Sequence, residues 1–579
     1  MTTVEPVDDA ASWRRAVGAT GLLAVFNEAA VVDAADVLVA QRLCALAKED
    51  DERVALALAL VVRGLRAGSV CLDLRSVEAQ VDVPDLPWPA IEGWLAAVWA
   101  SPLLEAPHVL RRQEHLLYLD RYWREEVQVA EDLRAMVSRS AVDSTADVER
   151  LFPAGYEEQR EAAEIALAQR VTVLTGGPGT GKTTTVARLL ALFAGQAATG
   201  RRLRIALAAP TGKAAARLQQ AVGEEIEKLD LVDRRRLTGL QATTLHRLLG
   251  SRPDSSSRFR HHRGNRLPHD VIVVDETSMV SLTMMARLLE AVRPQSRLLL
   301  VGDPDQLASV DAGAVLADLV DGLGAGGGSP VVALRTSHRF GESIGALASA
   351  IRDGAASAAI AVLEAGGDHV EWMVDDDPAV ALRKVLLPQA LALRQAAILG
   401  DARSALQTLD EHRLLCAHRR GPQGVGHWNR QVERWLTEAT GEPIWSDWYV
   451  GRPVLVTAND YGLGLYNGDT GVTVNGPDGL RAAIAGGGEP RAFATSRLPD
   501  LETMYAMTIH KSQGSQAAEV TVVMPPVDSR LLTRELFYTA VTRAKTKVRV
   551  VGSAEEVRAA IEKRAVRATG LALRLRDSS

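Results

Sequence analysis

Residues 176–183 read Gly-Gly-Pro-Gly-Thr-Gly-Lys-Thr, the full G-x-x-x-x-G-K-[ST] spacing. Glycines at that spacing let backbone N–H groups close around a polyphosphate. The lysine then reaches the β- and γ-phosphates, and the following hydroxyl holds Mg²⁺. Lys182 and Thr183 fill those two roles, and Gly176, Gly177, Pro178, Gly179, Thr180, Gly181 and Thr184 complete a cradle for ATP. Such a cradle works only between a strand and a helix whose positive end faces the anion. Residues 170–175 read as a buried strand and Thr183 to Phe193 as an amphipathic helix, which argues against an idle glycine-rich turn.

Val271-Ile-Val-Val-Asp-Glu276 is an apolar strand ending in two acids. Carboxylates at the carboxyl end of a buried strand emerge beside the phosphate loop. Asp275 is therefore a second ligand for Mg²⁺ beside Thr183, and Glu276 is placed to orient or deprotonate the attacking water. Leu298 to Gln306 is another strand running into a polar turn, and Gln306 could sense the γ-phosphate. Arg339 follows a strand and Arg543 lies on a helix, both in a second unit. Arginines reaching from one lobe to ATP held by another stabilise transition-state charge by about 10³–10⁵ in rate. They also make closure of the lobes depend on the γ-phosphate. A surface ion pair is the plainer account of either arginine taken alone.

The elements that must carry these residues fall into blocks. Residues 1–145 look mostly helical, with helical apolar spacing at 55–65 and 91–99 and half of the ten tryptophans, most of them expected in a core. Residues 150–330 alternate β-like runs at 170–175, 204–208, 271–274 and 297–301 with helices, the pattern of a parallel sheet covered on both faces. Gly322 to Ser329 reads as a flexible connector. A second α/β unit follows over 331–579, with strands expected at 331–334, 413–416, 520–524 and 548–551. A small β insertion is expected within it at about 440–500, where Gly, Asn and Asp turns separate short runs.

The 579 residues are 47% hydrophobic and 24% charged, ordinary globular figures. Three scattered cysteines argue for a reducing compartment and against a disulfide framework. The acidic N-terminus lacks a signal pattern, and the longest apolar run, Val54 to Val62, is too short for a bilayer, so a cytoplasmic protein without membrane contact is expected. Net charge is −6 but uneven. Residues 1–150 carry 15 Lys and Arg against 25 Asp and Glu, while the remainder carry 51 against 47. The acidic block suits a protein partner better than a phosphate backbone.

The ordered series of motifs resembles the RecD family of superfamily 1 DNA helicases. Residues 176–183 resemble motif I, 207–218 motif Ia, 242–250 the next DNA-facing motif, 275–279 motif II and 302–306 motif III. Arg339 falls in motif IV, 508–514 resembles motif V and 541–544 motif VI, while Gln159 stands where the family's adenine-contacting glutamine lies. Residues 63–74 and 117–123 are similar to the N-terminal region of the RecD subunit itself. The resemblance implies an α/β fold: two RecA-like P-loop NTPase domains with parallel sheets, a mostly helical N-terminal domain and a small SH3-like β insertion. It implies a heterotrimer with RecB and RecC, the exodeoxyribonuclease V complex, moving 5′→3′ from duplex ends in double-strand-break repair. One departure is Gln516, where the family usually has a ribose-contacting Glu.

Contacts to single-stranded DNA follow from sheet geometry. Pro210, Thr211 and Lys213, then Thr244 and His246, then Thr508, His510 and Lys511 stand at strand ends and helix starts, where hydroxyls, lysines and backbone N–H groups suit phosphates without reading sequence. Both histidines could equally be structural. The basic run 257–266 reads as a solvated loop. A nuclease in this chain is disfavoured, because none of its nine lysines has an acid two residues before it. Two rivals differ from a partnered motor: a subunit that binds ATP only to hold its partners, and a helicase that works alone. The full set of ATP-site residues speaks against the first, and the acidic, Trp-bearing N-terminal domain against the second.

Overall fold

The computed structural model describes residues 14–81, 83–137, 148–197, 202–252, 255–324, 328–336, 342–374, 377–460, 462–486 and 489–576. In the N-terminal unit, helices Gly21–Glu28, Ala34–Ala47, Glu52–Arg66 and Ile91–Trp99 enclose a core that includes Phe26, Leu56, Leu60 and Trp94. A three-stranded antiparallel sheet, Cys71–Asp73, Leu116–Leu119 and Leu110–Gln113, lies against them. The helical reading of residues 1–145 did not include this sheet. Its hairpin turns at Glu114, which adopts a left-handed backbone that glycine or asparagine would ordinarily advertise.

The first lobe is a six-stranded parallel sheet in the order Val331–Leu334, Val171–Gly176, Arg297–Gly302, Val271–Val274, Ile205–Ala209, Ala242–Thr244. Its central strands are buried on both faces, which is why they read as unbroken apolar runs. Residues 331–334 correct the expectation that they open the second unit. Val331 pairs with Val173 and Leu334 with Gly176, so the strand closes the first sheet at its edge. The connector expected at 322–329 suggests a lobe boundary there, but Gly322 belongs to helix Val315–Leu323, and residues 325–327 lie outside the described residues.

The second lobe is a five-stranded parallel sheet, Val370–Met373, Ala544–Val551, Ala517–Val523, His412–Cys416, Ala506–Thr508. Between its strands lies an antiparallel sheet of five strands spanning Pro453 to Thr503, with a small core around Val454, Ala482 and Ile484. The last segment corrects the assignment of everything after residue 331 to the second lobe. Helix Leu571–Arg576 packs on Val315–Leu323 of the first lobe and on Asp120–Val137 of the N-terminal unit. There the fully buried Glu126 accepts hydrogen bonds from Thr569 Oγ1 (3.1 Å), Gly570 N (2.9 Å) and Arg574 Nε (3.0 Å). Buried carboxylates need such partners, and these come from the far end of the chain. Among the described residues no helix is long and apolar enough to cross a membrane.

Candidate active site between the lobes

The strand Val171–Gly176 runs straight into the phosphate loop, and helix Lys182–Gln196 follows it. Gly179 and Gly181 take left-handed φ values of 83° and 85°, open to glycine at no steric cost. At Gly176 a Cβ would lie 2.6 Å from the Leu334 carbonyl oxygen, so glycine is needed for the loop to leave the sheet beside its edge strand. Thr180 turns inward and donates to Gly177 O at 2.9 Å. Lys182 Nζ donates to the carbonyls of Gly176 and Gly177 (2.9 Å to the latter). Burial lowers the Lys182 pKa, while Asp303, Asp275 and Glu276 pull it back up.

A cavity of about 720 Å³ opens over this loop. Pro178, Gly179, Gly181, Lys182, Thr183 and Thr184 line it from one side. Gly176, Gly177 and Thr180 shape the loop from behind. Gln159 and Tyr156 close one end: Gln159 Nε2 donates to Thr180 O at 3.4 Å, and the Tyr156 ring lies 4.2 Å beneath the Arg188 guanidinium.

Parallel register brings the acids to the same edge. Gly302 pairs with Thr175 and Leu300 with Val274, so Asp275, Glu276 and Asp303 emerge together at the cavity. Glu276 has φ +51°, a conformation costing about 1–3 kcal/mol for a residue with a side chain. Its N–H donates to Asp275 Oδ1 at 2.8 Å. Burial and the adjacent Glu276 charge raise the Asp275 pKa above the usual carboxylate range. Oxygen donors left this rich in negative charge suit a hard divalent cation such as Mg²⁺.

The second lobe supplies the far wall. Arg543 is 3% exposed, and its Nη2 donates to Gln306 Oε1 at 2.7 Å. Gln306 Nε2 in turn donates to Asp303 Oδ2 at 2.9 Å, and Tyr538 O–H donates to that same oxygen at 3.2 Å. Thr539 Oγ1 accepts from Leu307 N (2.9 Å), and Gln513 Nε2 donates to Leu307 O (2.9 Å). The residue carrying the γ-phosphate sensor role in the sequence reading thus sits directly under the second lobe's arginine. Arg339 lies outside the described residues. Gln516 lines the cavity beside Arg543.

Three residues here were not singled out from sequence: Asp303, Tyr538 and Arg217. Asp303 lay inside a recognised motif and Tyr538 just before another, but their contact spans 235 positions and no local spacing announces it. Arg217 lies on the helix Gly212–Ile226, one turn after Lys213, and lines the cavity, where its charge favours ionised Asp275. An i, i+4 pair of cations on a helix starting at a sheet edge was the available signal.

On another face, Thr211, Thr244 and Thr508 share one geometry. Each ends a strand and caps the following helix, its hydroxyl accepting from Ala214 N, Arg247 N and Lys511 N respectively, at 3.2 Å in every case. Each cap satisfies one first-turn N–H and leaves others of that turn without an intrahelical partner. Pro210 precedes the first. Lys213 is half-buried between the lobes, where burial and Arg413 bring its pKa down to about 8 against the pull of Asp410 and Asp469. Lys511 is paired with Glu502 at 2.6 Å. His246 is exposed beside Phe259, their rings 5.8 Å apart, and His510 is half-buried. In the basic run 257–266, Arg263 is paired with Asp132 of the N-terminal unit at 2.8 Å, a structural contact in part.

Residues 28–121 match the family model described as the RecBCD enzyme subunit RecD N-terminal domain. Residues 159–312 match an AAA domain, and 503–551 a UvrD-like helicase C-terminal domain. The RecBCD enzyme subunit RecD of Mycolicibacterium smegmatis is 72% identical over 559 residues, covering 96% of this chain and 99% of its own length. The chain belongs to the RecD family. The RecD subunit of Mycobacterium tuberculosis is 65% identical over 566 residues, covering 97% of this chain and 98% of its own. The ATP-dependent RecD2 DNA helicase of Deinococcus radiodurans is 32% identical over 488 residues, covering 82% of this chain but 61% of its own length. Apart from Gly155 and Tyr156, the residues lining the cavity fall within the segments matched to the AAA domain and the UvrD-like helicase C-terminal domain.

Proposed function

We propose that this chain is the 5′→3′ motor of a heterotrimer with RecB and RecC, entering at duplex DNA ends during double-strand-break repair while a partner holds the nuclease. As a RecD-family protein with both helicase lobes it is an ATP-dependent DNA helicase subunit. The partners rest on the names of its relatives, on the N-terminal match and on the acidic N-terminal block.

In this reading Lys182 binds the β- and γ-phosphates, and Gln159 holds the adenine beside Tyr156. Thr183 and Asp275 would hold Mg²⁺, which screens phosphate charge when bound. Glu276 orients the attacking water and takes its proton. Gln306 senses the γ-phosphate, and Arg543, with Arg339, stabilises the charge of the transferring group. Thr211, Lys213, Thr244, His246, Thr508, His510 and Lys511 grip the strand, with Pro210 shaping the first turn.

The single observation that carries the motor reading is the 2.7 Å bond from Arg543 to Gln306 across the lobe interface. A γ-phosphate can compete with an amide oxygen for a guanidinium, because a charge-assisted bond is about twice as strong as a neutral one. Exchanging partners then ties lobe closure to ATP. Unwinding of 5′-tailed against 3′-tailed duplexes, with and without RecB and RecC, tests the proposal. Preference for 5′ tails, lost in a Lys182→Gln complex, is the expected result. Full 5′-tail unwinding by that complex would reject it.

A further inference from the structure

Between the N-terminal unit and the second lobe lies a cavity of about 420 Å³ whose lining includes Arg63, Arg66, Ala67 and Arg530. Arg63 sits half-buried in the last turn of helix Glu52–Arg66. Arg530 stands exposed on the loop leading into helix Arg534–Val541, whose far end precedes Arg543. Among the described residues neither guanidinium makes a hydrogen bond or an ion pair, and the Arg530 charge acts with burial to lower the Arg63 pKa. The nearby acids are committed elsewhere. Asp36 accepts from Arg66 Nε (2.8 Å) and Nη2 (2.6 Å), and Asp33 pairs with Arg66 Nη1 (2.8 Å). The charges of Asp36 and Asp33, which also lines the cavity, reach Arg63 but are bonded to Arg66. Two guanidiniums at one cavity, one of them partly desolvated and neither in an ion pair among the described residues, therefore leave an anion's place open.

The cavity also continues a line of positive charge. Ala67 is followed by Gly68, where a Cβ would lie 2.8 Å from Arg567 Cζ. Arg567 donates to the carbonyls of Asp311 (3.2 Å) and Gly313 (3.1 Å), and its charge reaches His510. From the His510 loop, one of the proposed strand contacts, cationic groups therefore run by way of Arg567 to Arg63 and Arg530.

We infer that the Arg63–Arg530 cavity binds a phosphate group, either a phosphodiester of the single strand continuing past His510 or free inorganic phosphate. The strand source rests on the helicase reading and the free-phosphate source does not. In both cases the anion bridges the N-terminal unit to the lobe that carries Arg543.

The test compares full-length protein with an Arg63→Gln/Arg530→Gln double variant, and with Arg530→Glu, which gives Arg63 a carboxylate partner and so fills the site without emptying the fold. The first readout is binding of a length series of oligothymidylates across a salt series. The second is the rise in melting midpoint caused by inorganic phosphate with ADP filling the nucleotide cavity. The strand source predicts that both variants lower the slope of log K against log salt by about 0.7 per lost phosphate contact, only for the longer oligonucleotides, with DNA-free ATPase unchanged. The free-phosphate source predicts equal slopes but a phosphate-induced rise that both variants abolish. Identical slopes and identical rises in all three proteins would overturn the inference, as would variants that weaken only association with other proteins. Wild-type ATPase that DNA fails to stimulate would defeat the helicase reading while leaving the phosphate readout intact.

Discussion

In the proposed mechanism Arg543 is the residue on which chemistry and motion meet. It is buried, it donates to Gln306, and its remaining bonds go to backbone carbonyls of Thr539 (3.2 Å) and Ser515 (3.4 Å) of its own lobe. Arg543→Ala is expected to lower the DNA-stimulated ATPase by about 10³-fold or more while fluorescent ATP analogues still bind. Arg543→Lys should rescue little, since an ammonium cannot keep the carbonyl bonds and reach a phosphate together. Lys213 gives a pH signature. With its pKa near 8 it is charged at pH 7 and largely neutral by pH 9. A phosphate beside it favours the charged form, so binding above pH 8 takes up a proton. Single-strand affinity should therefore weaken between pH 7 and 9 in the wild type and stay flat in Lys213→Arg, measured by anisotropy at fixed salt. Of the ATP-site residues, those named by motif spacing were legible because the phosphate loop and its acids are local in sequence. Asp303 and Tyr538 were not, because their contact joins residues of different lobes.

At the level of elements, buried parallel strands announce themselves as short apolar runs that lead into a polar or glycine turn, and four of the first lobe's six strands were readable that way. Val331–Leu334 was readable as a strand but not as a member of that sheet, since sheet membership depends on where the chain returns after the glycine connector. The Leu110–Leu119 hairpin was hidden by a turn residue of unusual conformation. The edge position of Val331–Leu334 makes a specific demand on Gly176. Gly176→Ala must push against the Leu334 carbonyl, an overpacking cost of about 1–3 kcal/mol. The expected outcome is a lower midpoint in chemical denaturation with a concomitant loss of nucleotide binding. A midpoint equal to wild type would show that the edge strand yields freely.

Across the whole molecule, the C-terminal segment fastens three parts together. It leaves the second lobe, crosses to the first, and gives Glu126 of the N-terminal unit three donors. Nothing in the local sequence of residues 565–576 reveals this, because its hydrogen-bond partners in the first lobe and the N-terminal unit lie more than 250 positions earlier. Truncation after Arg564 strips a buried carboxylate of its partners, a change of about 3–5 kcal/mol for a buried charge. Limited proteolysis should then release the N-terminal unit, and Glu126→Gln should lessen that sensitivity in the truncated chain. The same architecture makes the lobes a clamp whose jaws meet through several hydrogen bonds, of which Arg543 to Gln306 is a charge-assisted one beside the nucleotide cavity.

That bond is where the account is most exposed. The direct test is a structure of the protein with single-stranded DNA, Mg²⁺, ADP and a planar fluoride mimic of the transferring phosphoryl group. The account predicts that the Arg543 guanidinium leaves Gln306 and lies within about 3 Å of the mimic, with the lobes drawn together. An Arg543 still bonded to Gln306, with the mimic bound and the strand in place, would contradict it.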